Sequence, residues 1–283
     1  MDILKKRNGI FPIVITPPSS LELPNFRELW EYKGLLFFLV RRDIKLRFQQ
    51  TFIGVFWVVL QPLIQMLIFY VIMGILIQVP TNGVPYPLFF LSAFLAWQFF
   101  SQVVNLSAFS LLGNLGVILK SYFPRLALPL ASIVNALVDF AVCFLVLMFF
   151  LLLNGHYPIT YRYLLLPVLL VITIVFSSGV GLLFGALMVV FRDTKNLLSF
   201  ILMIWMYVTP IMYPITIAPE KYQILFYLNP LTSLVEAYRW VFLVQGDLPK
   251  ISYLLISTVI AVIIWLCGAI AFRAMENRIA DVM

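Results

Sequence analysis

The chain has 283 residues, of which 63% are hydrophobic and 11% charged, against roughly 45–50% and 25% in a soluble domain. So few polar side chains cannot cover a water-facing surface, which excludes a soluble globular protein. The formal charge of +7 then raises the question of where along the chain the basic residues stand.

Residues 1–27 begin with Lys5, Lys6 and Arg7 and continue as NGIFPIVITPP. The apolar stretch is short, is broken by Pro12 and lacks a small-residue cleavage site, so it reads as an extended cytoplasmic arm rather than a signal peptide. Next comes a predicted helix over 28–50. Its segment RRDIKLR, 41–47, holds five charges in seven positions, after which no charge appears until Lys120. On a helical wheel Leu36, Val40, Ile44 and Phe48 share one face with Arg41, Arg42 and Lys45 opposite, as in an amphipathic helix lying in a membrane surface. Asp43 and Arg47 break that pattern. Either the helix is a basic anchor for lipid headgroups, or it also touches a partner or guides an anionic lipid-linked substrate.

A bilayer core about 30 Å thick needs roughly 20 apolar residues per helix. Uncharged windows predict spans at Phe52–Ile77 and Pro87–Leu112, separated by the turn formers of QVPTNGVPYP. Leu126–Leu153, interrupted only by Asp139, and Tyr163–Phe191 follow. A shorter fifth span runs Asn196–Tyr213 and a sixth Ile251–Phe272. Between the last two, Ser233 and Glu236 have the spacing of a capping box, and the segment reads as two short helices broken at Asn229 and Pro230 that dip back into the outer leaflet. The fold class is therefore an all-α integral membrane protein with six transmembrane helices, an N-terminal interfacial helix and re-entrant outer helices. Its parts are an arm at 1–27, the interfacial helix at 28–50, the span domain at 51–272 and a tail at 273–283.

With six spans both termini share a side. That side carries fifteen basic residues, among them Lys120, Arg192 and Lys195, against four on the other, Arg162, Lys221, Arg239 and Lys250. The positive-inside rule puts both termini in the cytoplasm, and the charge is a topology signal rather than a nucleic-acid footprint. Chemistry of the chain's own is scarce. His156 stands in a short outer loop, and Cys143 and Cys267 fall inside spans and imply neither a disulfide nor a metal pair. Asp139 is the one mid-span carboxylate, either functional or held by a structural hydrogen bond. No GxxxxGK[ST] phosphate loop occurs, so any energy input comes from another chain.

RRDIKLRFQQTFIGVFWVVLQPL resembles the opening signature of polysaccharide-export ABC transporter permeases, which move lipid-linked O-antigen and have relatives serving capsule and teichoic acid. GNLGVILKSYFPRLALPL, VVFRDTKNLLSFIL and YLNPLTSLVEAYRWVFLVQG stand in the same order and spacing as in that family. The resemblance covers about residues 28–272. It implies a permease that is not itself an enzyme, in the bacterial inner membrane, paired with a second copy and with two ATPase subunits that hold the ATP and magnesium. A channel for lipid-linked polysaccharide runs between the permease halves. Coupling to the ATPase is expected at Lys120, Tyr122, Arg125, Arg192 and Asp193, and substrate access at Arg41, Arg42, Lys45 and Arg47. Asn229, Pro230, Ser233 and Glu236 fall on the outer gate helices. Phe56, Trp57, Tyr70, Trp97, Phe100, Trp205 and Tyr207 are the expected aromatic channel lining, since a ring face and polar edge suit a sliding sugar chain, although rings also anchor in lipid. Ser177, Gly181 and Gly185 form a small-residue series for close helix packing. A permease for a small amphiphile and a membrane glycosyl-lipid transferase are the other function classes; the enzyme is disfavoured by the lack of paired acidic residues.

Overall fold

The computed structural model describes residues 32–48, 56–114, 116, 123–155, 161–191, 193–243 and 249–276. Among them, α1 (Lys33–Phe48) is followed by α2 (Phe56–Phe69), which continues as a π-helix over Tyr70–Leu76. Then come α3 (Tyr86–Phe109), α4 (Ala127–Leu153), and α5 (Leu166–Val190) with a 3₁₀ turn at Tyr161–Leu165 before it. The remainder is α6 (Thr194–Val208), α7 (Glu220–Tyr227), α8 (Pro230–Phe242) and α9 (Ile251–Glu276).

Five of these segments are long and apolar enough to cross a membrane, α2 with its π extension, α3, α4, α5 with its 3₁₀ turn, and α9. The sixth expected span is the shorter α6, 15 residues that rise about 22 Å, less than the thickness of a bilayer core. The predicted turn between α2 and α3 is real. Asn82 and Gly83 both take positive φ, 52° and 83°, and the Val84 amide donates to the Thr81 carbonyl at 3.1 Å, as an Asn-Gly turn requires.

At the centre stands α3, with 83% of its most apolar stretch buried, against 11% for α2. Phe90, Phe94, Phe99 and Phe100 fill the interior between α3 and its neighbours. The small-residue series on α5 does what its spacing predicts. A Cβ on Gly181 would lie 2.7 Å from the Ser107 Cβ of α3. A second close approach lies on another face of α5, where a Cβ on Gly179 would come within 2.6 Å of the Trp265 backbone of α9.

The expected apolar face of α1, with Leu36, Val40 and Ile44, packs together with Leu39 against Phe123, Ala127 and Ala131 in a small core of its own. On the rest of the helix Phe37, Phe38, Arg41 and Lys45 are exposed. One expectation needs correction, at α8. Ser233 and Glu236 do not form its capping box. Asn229 is the N-cap, its Oδ1 accepting from the Leu231 amide at 3.1 Å, and Pro230 takes the first helical position, where a missing N–H costs nothing.

Candidate functional site

Polar side chains gather at the two ends of α3. At the end carrying α1, a cavity of about 600 Å³ lies between α1, the last turns of α3 and the first half of α4. Gln102, Asn105, Asn114 and Asn135 bring four carboxamides to its wall, beside Asp43 and Arg47. The segment RRDIKLR divides its charges between outward positions and partners on neighbouring elements. Arg41 and Lys45 face outward, whereas Arg42, Asp43 and Arg47 find partners on the spans. Arg42 donates to Asp43 from Nε at 2.9 Å and from Nη2 to Asn114 Oδ1. The Asn135 amide reaches the other Asp43 oxygen at 3.4 Å. Arg47 Nη1 pairs with Asp139 Oδ2 at 2.8 Å, with side chains 37% and 2% exposed.

This settles what Asp43 and Arg47 do in breaking the helical wheel. They are the contacts that fasten α1 to α4. It also answers the question of Asp139, whose charge is paired as a buried intramembrane carboxylate must be. Asn135 and Asp139 stand four residues apart and so share one face of α4. Each keeps a buried Oδ1 with no partner among the described residues.

The second chamber, about 440 Å³, lies at the opposite end, between the 81–84 turn, α7, α8 and the start of α9. Some 16 residues of α3 separate Phe89, on its wall, from Asn105, about 24 Å along the helix. Tyr227 and Tyr253 stack here with centroids 4.0 Å apart and planes 10° from parallel. Burial, and then the Glu236 carboxylate and Tyr253, push the Tyr227 phenol up to about 12. Arg239 is enclosed. It pairs with Glu236 at 2.7 Å, donates to the Ile211 carbonyl at 2.7 Å and lies 3.7 Å from the centroid of the Phe89 ring. Burial lowers the Arg239 pKa while Glu236 supports the charge. From outside, Arg162 covers Trp240 at 4.5 Å and donates to the Trp240 and Leu243 carbonyls at 3.2 and 3.1 Å, satisfying the last carbonyls of α8.

The expected channel aromatics divide into two groups. Phe56, Trp57, Tyr70 and Tyr207 are exposed on the chain, Trp57 by 54% and Tyr207 by 57%. Trp97 and Phe100 are 5% and 0% exposed and present no open face. Phe100 stacks on Phe176 at 5.2 Å and meets Trp205 edge-on at 5.2 Å. The Trp205 indole in turn donates to Asn229 Oδ1 at 3.0 Å, so Trp205 staples α6 to the start of α8. Trp97 and Phe100 are thus interior rings, and Trp205 packs against them while only partly buried. Ser233 is likewise buried and points its hydroxyl at the Tyr253 carbonyl, 3.4 Å away. Of the residues expected at the ATPase contact, Arg125 stands in the turn before α4 and Asp193 is exposed before α6, its carbonyl accepting from the Asn196 amide at 3.0 Å. Lys120, Tyr122, Arg192 and His156 lie outside the described residues, as do the 1–27 arm and the end of the tail.

Five apolar helices long enough to cross a membrane, with a chamber at each end of α3, define an integral membrane protein of the helical class. The ABC-2 type transporter family matches residues 34–243, and the chain belongs to that family. It is 29% identical over 259 residues to the O-antigen export system permease protein RfbA of Myxococcus xanthus, covering 90% of this chain and 97% of that protein. The protein of the same name from Klebsiella pneumoniae is 28% identical over 249 residues, 88% of this chain and 95% of its own length. The polysialic acid transport protein KpsM of Escherichia coli is 27% identical over 205 residues, 71% and 78% of the two chains.

Proposed function

We propose that this chain is the membrane subunit of an ABC transporter that exports a lipid-linked polysaccharide, most closely of the O-antigen kind, across the bacterial inner membrane. The observation that carries this is the near full-length match to two permeases named for O-antigen export. Capsular polysaccharide is the second reading, favoured by the match to the polysialic acid transport protein. Teichoic acid and a small amphiphile are the remaining alternatives.

In this proposal two copies of the chain bind two ATPase subunits, which hold ATP and magnesium. Both termini and the end carrying α1 face the cytoplasm, as the basic residues argue. The exposed Arg41 and Lys45 attract the anionic lipid-linked cargo, while Arg42 and Arg47 set the position of α1. Lys120, Tyr122, Arg125, Arg192 and Asp193 form the ATPase contact. The weakly buried α2, with Phe56, Trp57 and Tyr70, and α6, with Tyr207, face the second copy and the path between the copies. Asn229 and Pro230 start the outer gate helix α8, which Glu236 and Arg239 hold in place.

Deletion of the gene, followed by staining of surface polysaccharide, tests the cargo. Loss of the glycan with its lipid-linked form accumulating inside, restored by the cloned gene, is the expected result. An unchanged surface glycan overturns the reading. Orientation is checked by impermeant thiol reagent on intact cells, which should label Lys221→Cys and spare Lys195→Cys.

A further inference from the structure

The chamber at the α8 end fixes its wall with some polar side chains and leaves others unspent. Most of the side chains around its 440 Å³ carry a polar group. Arg239 is enclosed and committed to Glu236 and to the Ile211 carbonyl, so it serves the wall itself. The groups around it are in another condition. The phenols of Tyr227 and Tyr253, the Trp240 indole N–H and the Lys250 ammonium have no hydrogen-bond partner among the described residues. Unlike the Tyr238 hydroxyl, which is sealed in the interior, none of these atoms is closed off from solvent. Tyr227, Trp240 and Tyr253 are half-buried and Lys250 is exposed. Acceptors stand beside these donors. Arg239 takes one oxygen of Glu236 at 2.7 Å and leaves the other open. The Gln223 amide donates to the Ala218 carbonyl at 2.9 Å, which leaves its own oxygen to accept.

A wall that offers donors and acceptors together suits hydroxyls, because each hydroxyl donates one hydrogen bond and accepts up to two. Other ligand classes fit it less well. Lys250 is the one uncommitted cation on the wall among the described residues, and the Glu236 carboxylate on the same wall opposes an anion, whereas phosphate sites gather several charged donors. An apolar molecule would leave the open donors and acceptors without partners. Trp240 and the stacked Tyr227 and Tyr253 add rings with an apolar face and a polar edge. The volume falls within the roughly 300–1,000 Å³ of small-molecule sites.

We infer that this chamber is a saccharide-binding site, a subsite for sugar residues of the exported chain whose walls come from one copy of the permease. The inference rests on the proposed glycan cargo and on the orientation that turns this end outward. A weak hold on sugar there hinders the emerging chain from sliding back.

The test uses the full chain in nanodiscs, with Cys267→Ser removing the exposed native thiol and Thr216→Cys as a reporter on the chamber wall. The rate of thiol labelling is followed against galactose, mannose and N-acetylglucosamine, and against inorganic phosphate. Nanodiscs of phosphatidylcholine and of phosphatidylglycerol are compared. At least one sugar should protect the reporter saturably, and equally in the two lipids. Tyr253→Phe keeps the stacked ring and removes only its hydroxyl, and should raise the half-protecting concentration about fivefold, the worth of one hydrogen bond. Lys250→Met, with the same expected shift, decides the matter if the first variant fails to fold. Protection by no sugar, stronger protection by phosphate than by any sugar, protection by phosphatidylglycerol alone, or sugar protection undiminished in the deciding variant overturns the site. The cargo is judged separately. Lost surface glycan in the deletion strain with no sugar protection overturns the saccharide site alone, whereas intact surface glycan overturns the cargo assignment whatever the labelling shows.

Discussion

The two chambers at the ends of α3 spend their charges on different partners. At the end carrying α8, Arg239 is committed to Glu236, the Ile211 carbonyl and the Phe89 ring, so one guanidinium ties α8 to α3 and to the segment after α6. At the end carrying α1, Arg42 pairs with Asp43 and Arg47 with Asp139, and these contacts fasten α1 to α4. The Arg239 side chain is enclosed, whereas that of Arg47 is 37% exposed, so the brace at the α8 end is the costlier one to cut.

The sharpest way to break that contrast is to cut the brace. Arg239→Leu leaves Glu236 and the Ile211 carbonyl without their donor in the interior, and should destabilise the protein by about 3–5 kcal/mol. A drop in the unfolding midpoint in detergent, with loss of assembled protein, is the measurement. Next comes Trp97→Ala, which empties a ring from the core along α3 between the chambers and should cost about 3 kcal/mol. Trp57→Ala, on the exposed face of α2, should leave the midpoint unchanged and show its effect, if it lines the path, in export per assembled molecule. Arg47→Ala should cost about 2 kcal/mol, below the usual range for breaking a buried pair because water reaches the Arg47 side. Adding Asp139→Leu should restore most of that loss in a double-mutant cycle. Of the changes that lower the midpoint the smallest is Tyr253→Ala, which removes one stacked ring and should lower it by the equivalent of about 1 kcal/mol.

The legible part of this fold was its apolar periodicity and its punctuation. Span positions followed from the uncharged windows, the α2–α3 turn from Asn82-Gly83, and the close packing of α5 from Gly181 and Gly185. The cavity was half legible. Asp43 and Arg47 stood out because they spoil the wheel of α1, and Asp139 because it is the lone charge in its span. Their partnership was not readable, since Arg47 and Asp139 are separated by 92 positions and nothing local ties one to the other. Ring burial was not legible for a physical reason: in a membrane chain the lipid face and the interior are both apolar, so composition does not separate the buried Trp97 from the exposed Trp57. The misread capping box at Ser233 shows competition between local signals, in which Asn229 followed by Pro230 provides both a side-chain acceptor and a fixed φ.

The contact between Gly179 and Gly268 limits how the bundle can move. A Cβ on Gly268 would sit 2.3 Å from the Gly179 carbonyl oxygen, so the backbones of α5 and α9 touch there with no side chain between them. Shear between packed helices proceeds by side chains changing rotamer as they slide over one another, and bare backbone has no such play. Lengthwise slippage would drive the carbonyl of one helix into the bulkier residues flanking the other glycine. The pair is left with pivoting about the crossing point, as two rods do on a pin, and whatever displaces α9 during transport must swing α5 with it.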